Sequence, residues 1–368
     1  MICRKCNSPG TLIIRKEYCY CDECFIFMIN HKFRACLGKN KTLSANEKIL
    51  ICLSGDACST VLLDLVYNAI SLNNHKKLRV VPYVLYIIET VADNEKISNS
   101  IIEQCKSYGF PLTITNINEY NKNFFSNKEE TESQNSYNSK SILSNVTSSI
   151  HRDVMMKIKQ NIFLKISKEL DCNTVFTAET TTSLATKLLS NIVIGRGSQI
   201  ENDIGFADKR DRDTRILRPL RDITNEEIEH YIQIKEIKPA KAMHNKLNET
   251  SLQSVIKNFV MDLQENYPAT ISTICKTADK IGSITNNINK KKCVVCQSNL
   301  DNNDLNLTAV DATVFSRKVS LRQSGESKYN EDSQNIEENN LMFPFIYQSL
   351  CYCCSRNMSE LGNNKIKQ

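Results

Sequence analysis

No run of 18 apolar residues occurs in the 368-residue chain, which excludes a conventional membrane-spanning helix. The opening residues MICRKC lack the long apolar core of a secretory leader, so a soluble, cytoplasmic chain without membrane attachment is expected. Tryptophan is missing too, but 13 Tyr and 13 Phe supply aromatic bulk, and this absence excludes nothing. Neither sign of charge is in large surplus: 47 Lys and Arg face 41 Asp and Glu, a net +6. That balance permits a nucleic-acid partner without requiring one, because a footprint is a clustered patch rather than a total. No internal repeat of fixed period is visible. What remains is a globular composition, 41% hydrophobic and 24% charged, long enough for one large or two ordinary domains.

Cysteine, by contrast, is abundant. Of the sixteen, ten sit in two terminal groups: Cys3, Cys6, Cys19, Cys21 and Cys24, then Cys293, Cys296, Cys351, Cys353 and Cys354. Disulfides are rare in a reducing compartment, so clustering there argues for metal. The pairs Cys3-x-x-Cys6 and Cys21-x-x-Cys24 are fourteen residues apart, and their four thiolates can surround one Zn²⁺ as a tetrahedron. Cys19 could stand in for Cys21. Cys293, Cys296, Cys351 and Cys354 form a second four-thiolate set with Cys353 spare, and closing the fifty-odd residues between its halves costs only logarithmically with length. The plain alternative at either end is a cysteine-rich surface without metal. The scattered Cys36, Cys52, Cys58, Cys105, Cys172 and Cys275 are read as mostly small buried hydrophobes.

From about Lys48 strands and helices alternate. KILICL (48–53), LRVVPYVLYII (78–88), PLTITNI (111–117) and NTVFTA (173–178) read as strands. Helical spacing runs through 59–71, 93–109 and 152–170, and Thr224-x-x-Glu227 is a capping box that starts another helix. This alternation predicts an α/β fold with a doubly wound parallel sheet. Four parts are expected: a Cys-rich, zinc-ribbon-like module over 1–40, the α/β domain over 41–235, a helical segment over 236–292 and a second Cys-rich module over 293–368. Two stretches rich in Asn, Ser, Glu and Lys, 121–149 and 321–340, read as polar insertions.

The strand at 48–53 runs into Ser54-Gly55-Asp56-Ala57-Cys58-Ser59, at the strand end where such sheets bind ligands. Adenylating enzymes often carry Ser-Gly-Gly-x-Asp-Ser at such a turn, using glycine N–H groups and a helix N-terminus to hold phosphate. Here Asp56 replaces the second glycine and Cys58 the aspartate. A carboxylate stands where phosphate charge should rest, and positive φ at Asp56 would cost energy, so ATP binding by this chain is disfavoured. An active alternative makes Cys58 a sulfur carrier, its thiolate favoured by the helix start.

Basic residues supply the nucleic-acid candidates. Lys32 and Arg34 lie with His31 on one side of a helix that follows the first cysteines, and Arg196 sits between Gly195 and Gly197. Arg215, Arg218 and Arg221 alternate with Leu217 and Leu220 as a possible RNA-facing edge. The bland account of each is a solvated surface cation.

Together, the N-terminal Cys pairs followed by HKFRACLGKN (31–40), the altered loop 54–59, LATKLLSNIVIGRG (184–197), RILRPLRDITNEEI (215–228) and the closing CVVC and LCYCC resemble the cytoplasmic tRNA 2-thiolation protein 2 family. The resemblance spans nearly the whole chain apart from the two polar insertions. It implies a PP-loop ATP-pyrophosphatase type of sheet in the divergent half of a heterodimer whose other subunit is the catalytic PP-loop tRNA thiolase. It further implies 2-thiolation of the wobble uridine in tRNA for Lys, Gln and Glu, with sulfur delivered by a ubiquitin-related carrier as a thiocarboxylate. In the catalytic partner, the resemblance implies, cysteines after the third strand carry sulfur or an iron–sulfur cluster; the corresponding 121–149 here contains none. A supporting subunit with structural zinc is therefore expected, and the alternative is a self-sufficient ATP-dependent tRNA sulfurtransferase using a cysteine such as Cys58.

Overall fold

The computed structural model describes residues 2–14, 18–73, 77–89, 95–117, 148–241, 251–267, 269–284, 291–300 and 350–363, with Thr313 and Ser316 isolated between the last two. The expected insertions at 121–149 and 321–340 fall outside the described residues, except Ser148 and Ser149. A short hairpin, β1 (Leu12–Ile14) and β2 (Tyr18–Tyr20), leads into the long helix α1 (Asp22–Asn40). The main sheet follows: β3 (Glu47–Cys52), β4 (Val80–Ile88), β5 (Leu112–Asn116), β6 (Thr174–Phe176), β7 (Ala207–Asp208) and β8 (Arg215–Leu217). Its order is β5-β4-β3-β6-β8-β7, parallel throughout except that β7 pairs antiparallel with β8 at one edge.

β3 lies at the centre because its side chains are apolar on both faces, as a strand covered on both sides requires. Ile49 and Ile51 point into one core with α1, α2 (Ala57–Ile70), α3 (Glu95–Tyr108) and α7 (Asn225–Lys235). Leu50, of opposite parity, faces the other core, where α4 (Ser148–Glu169) presents Ile158, Ile162 and Ile166 at a four-residue spacing. Helices on both faces make the sheet doubly wound. A third cluster joins α5 (Thr181–Val193), the short α6 (Ile200–Ile204), α8 (Leu252–Asn266) and α9 (Thr270–Ile284) through Leu184, Leu188, Ile256, Val260 and Ile271. The capping box forms with both hydrogen bonds at the start of α7.

The expected N-terminal module shares its helix with the main core. Phe25, Ile29, Phe33, Cys36 and Leu37 form a continuous stripe on α1 that is buried in the main core beside Val61, Leu65 and Tyr231. The helix of the expected 1–40 module is thus packed into the core of the α/β domain. The final helix, α10 (Tyr352–Asn363), sits with the second cysteine group.

Candidate functional site

The turn after β3 keeps the shape of a phosphate loop and fills it with its own carboxylate. Gly55 takes φ +84°, a conformation in which a Cβ would be strained and would stand 3.1 Å from Ile101. Asp56 does not share that conformation: its φ is −79°, so the positive φ expected to burden it falls on Gly55 alone. Asp56 is instead the N-cap of α2, and its Oδ1 accepts the Ser59 backbone N–H at 2.8 Å. The serine hydroxyls turn to each other, Ser54 Oγ to Ser59 Oγ at 3.0 Å. The Lys241 N–H donates to the Gly55 carbonyl at 2.8 Å, closing chain over the loop.

Beside this turn lies a cavity of about 260 Å³ at the carboxyl ends of β3, β4, β6 and β8. Its charged lining comprises Lys159, Lys187 and Arg218 against Asp56, Glu89 and Glu179, which is formally neutral. Lys159 pairs with Glu89 at 2.7 Å, Lys187 with Glu179 at 2.8 Å, and Arg218 with Glu179 at 2.6 Å. Burial pushes the Glu179 carboxyl up, and the Lys187 ammonium and Arg218 guanidinium beside it overcome that and hold it at about 2. All three lining cations therefore face carboxylates already, leaving no positive surplus for a triphosphate. Cys58 is not activated by the helix start: burial pushes its thiol up to about 12, with the Asp56 charge adding to the shift. That works against Cys58 as a sulfur carrier.

The structure brings both terminal cysteine sets together. In each of Cys3, Cys6, Cys21, Cys24 and Cys293, Cys296, Cys351, Cys354, the four Sγ atoms lie within 4.8 Å of one another. A tetrahedron of thiolates at a Zn–S distance of about 2.3 Å has edges of about 3.8 Å. The separations Cys6–Cys21, 3.5 Å, and Cys296–Cys351, 3.6 Å, are close to that edge. A four-iron cube, whose thiolates point outward from separate irons, needs them further apart. The donor set thus fits a single tetrahedral ion.

The two centres are built alike. Cys3-x-x-Cys6-Asn7-Ser8 and Cys293-x-x-Cys296-Gln297-Ser298 make matching knuckles. Asn7 and Gln297 take φ of +61° and +54°, and the N–H of each leading cysteine donates to Ser8 or Ser298. The other half of each set opens a helix: Cys21 is the N-cap of α1 with Cys24 in its first turn, and Cys351 directly precedes α10 with Cys354 in its first turn. Helix N-termini favour the negative charge thiolates carry. The extra cysteines do not join either set: Cys353 Sγ instead lies 3.1 Å from an Arg196 guanidinium nitrogen.

The expected RNA-facing cations are largely turned inward. Arg196, 3% exposed, makes a bidentate pair with Asp153 at 2.8 and 2.9 Å. Its neighbour Gly195, φ +77°, lets the Tyr352 ring approach where a Cβ would stand only 2.7 Å away. Arg218, 1% exposed, holds Glu179 and the carbonyls of Gly205 and Asn202. Arg215 bridges three strands by gripping Glu47 and Thr174, Arg221 pairs with Asp279, and Lys32 pairs with Glu227 at 2.6 Å. Arg34 donates to the Asn30 carbonyl of its own helix at 3.2 Å. Arg196 and Arg218 are buried and paired within the chain, unlike the solvent-facing cations expected. The pairings with Asp153, Glu179 and Glu227 leave no trace in the sequence because these carboxylates lie 43, 39 and 195 positions from their partners, although Glu227 is legible in its other role in the capping box.

A parallel sheet with a Ser-Gly turn at its central strand, open at the strands' carboxyl ends, is the architecture of the PP-loop proteins, and the PP-loop domain family matches residues 28–263. The structure is similar to that of the U34-tRNA thiolase of Methanococcus maripaludis, solved with its 4Fe-4S cluster: TM-score 0.61 and 19% identity, covering 90% of this chain and 99% of that one. The family described as cytoplasmic tRNA 2-thiolation protein 2 matches residues 251–356. Relatives of that name align along the chain in Drosophila mojavensis (32% identical, 99% of this chain, 92% of the relative) and Aedes aegypti (30% identical, 90% and 82%). The chain belongs to the cytoplasmic tRNA 2-thiolation protein 2 family. Among the described residues no helix is long and apolar enough to cross a membrane.

Proposed function

We propose that this chain is the non-catalytic subunit of the cytosolic complex that 2-thiolates the wobble uridine, U34, of tRNA for Lys, Gln and Glu. It pairs with a catalytic PP-loop thiolase subunit, contributes tRNA contacts, and supports sulfur transfer from a thiocarboxylated ubiquitin-related carrier. The observation that carries the reading is the Asp56 carboxylate on the Ser59 N–H, where a nucleotide phosphate would otherwise bind. The charge-neutral cavity beside it and the cysteine-free stretch 121–149 point the same way. Zn²⁺ in both four-cysteine centres is structural in this reading: each set closes on one ion with protein thiolates alone, leaving no position for substrate.

The test is a reconstituted reaction with ATP, the thiocarboxylated carrier and tRNA. The chain is supplied alone, with the thiolase subunit, and with that subunit disabled in its own loop. Thiouridine is expected only when the partner is intact. Thiolation by the chain alone, or with the disabled partner, refutes the assignment.

A further inference from the structure

A second hollow, sharing no lining residue with the cavity beside the loop, lies on the N-terminal cysteine centre. Arg4, Lys5, Tyr20, Phe27, Met28 and His31 enclose about 370 Å³ there. The Arg4 guanidinium carbon stands 4.4 Å from the Tyr18 ring centroid, and Lys5 Nζ 3.7 Å from that of Phe27. Phe27 is 54% exposed, an unusual position for a phenyl ring on a helix whose other face is fully buried. Residues 1–41 hold eight Lys and Arg against three Asp and Glu, so five of the chain's net +6 charges sit in this ninth of its length. The two negative charges of a Zn²⁺–four-thiolate centre leave that segment positive. Among the described residues, Arg4, Lys5 and His31 form no ion pair, in contrast to the paired Arg196, Arg215, Arg218 and Arg221.

An exposed ring, Phe27, whose face carries Lys5, set among cations that have no carboxylate partner, suits one class of ligand. A planar base stacks on the ring, and the flanking phosphates meet the cations. Duplex RNA buries its base faces and cannot use such a hollow. A protein interface is a poorer match, because the centres of such interfaces are depleted of lysine. We propose that this face binds an unpaired stretch of RNA, one base displacing Lys5 from the Phe27 ring or taking its opposite face while Arg4 and Lys5 engage adjacent phosphates. The inference rests on the tRNA-contacting role proposed above and assigns it to these residues in place of Arg196, Arg215, Arg218 and Arg221.

The experiment measures anisotropy of a labelled oligouridine of about 12 nucleotides with the full-length chain across a salt series. Phe27→Leu keeps apolar volume and removes the stacking face; it should weaken binding about 5- to 100-fold, with Phe27→Tyr restoring it. Arg4→Gln with Lys5→Gln should flatten the log–log salt slope by about 1.4, about 0.7 for each phosphate no longer neutralised. Metal content reports that each variant is folded. Unchanged affinity and slope overturn the proposal, as does equal affinity for a duplex of the same length. It also fails if Phe27→Leu weakens only association with the thiolase subunit. Thiolation is scored separately: a native chain that binds the oligonucleotide through Phe27 yet never supports thiouridine formation refutes the proposed function and upholds this surface.

Discussion

Asp56→Asn isolates the charge that closes the loop. Asparagine caps helices about as well as aspartate and keeps the side-chain oxygen that accepts the Ser59 N–H, so the turn should hold its shape. The loss of an anion at the N-terminus of α2 costs under about 1 kcal/mol of stability. A pyrophosphate oxygen competing for the same N–H would lie about 4 Å from the native carboxylate. There, two unit charges repel by about 1 kcal/mol in water and about 4 kcal/mol at an effective dielectric constant of about 20. Asp56 is exposed, so the watery end dominates and about 1–2 kcal/mol is the reasonable figure. Calorimetric titration with pyrophosphate at low salt should therefore show about 5- to 30-fold tighter binding for the variant. Equal affinities, or tight binding by the native chain, would refute the view that this carboxylate excludes phosphate.

Three further outcomes follow from buried charge and from the cysteine centres. Glu179→Gln leaves Arg218 and Lys187 facing a neutral group and should cost about 3 kcal/mol in denaturant titrations at neutral pH. The folded Glu179 carboxyl lies at about 2 against an ordinary 4.5, so its stabilisation is complete above pH 4.5 and fades as pH falls toward about 2; a pH-independent difference would contradict the pairing. Asp153→Asn strands the buried Arg196 guanidinium and should destabilise by about 3–5 kcal/mol, while Arg196→Lys should recover little, since lysine cannot reproduce the bidentate geometry; near-native unfolding midpoints for both would count against it. Elemental analysis should find two zinc ions per chain and one in Cys296→Ser, and iron with inorganic sulfide in their place would exclude the zinc assignment.

Local signals survive in the sequence because neighbours along the chain create them. Cys3-x-x-Cys6 and Cys293-x-x-Cys296 are knuckles whatever surrounds them, and KILICL alternates toward two cores because strands have period two. The capping box at Thr224 needs only Glu227 three residues on. The correspondence of Asn7-Ser8 with Gln297-Ser298 became evident only in the fold, where both knuckles take the same positive φ and the same backbone hydrogen bond.

Partnerships across the fold had no such trace. RILRPLRD reads as a basic edge, yet Arg215 spans three strands to Glu47 while Arg218 points inward to Glu179. An arginine's destination depends on where a carboxylate arrives after folding, and desolvation then makes that pair obligatory. Cys58 illustrates the same division. Its place at a helix start suggested a reactive thiolate, but burial and Asp56, both consequences of packing, set the opposite sign. Residues close in the chain were enough to specify four of the six strands, the cysteine knuckles and the missing second glycine, whereas the short β7 and its antiparallel pairing with β8 came only with the fold. Which cations meet a carboxylate, as Arg215 and Arg218 do, and which, like Arg4 and Lys5, meet only a ring was settled by folding, because electrostatic worth depends on distance and burial rather than on residue type.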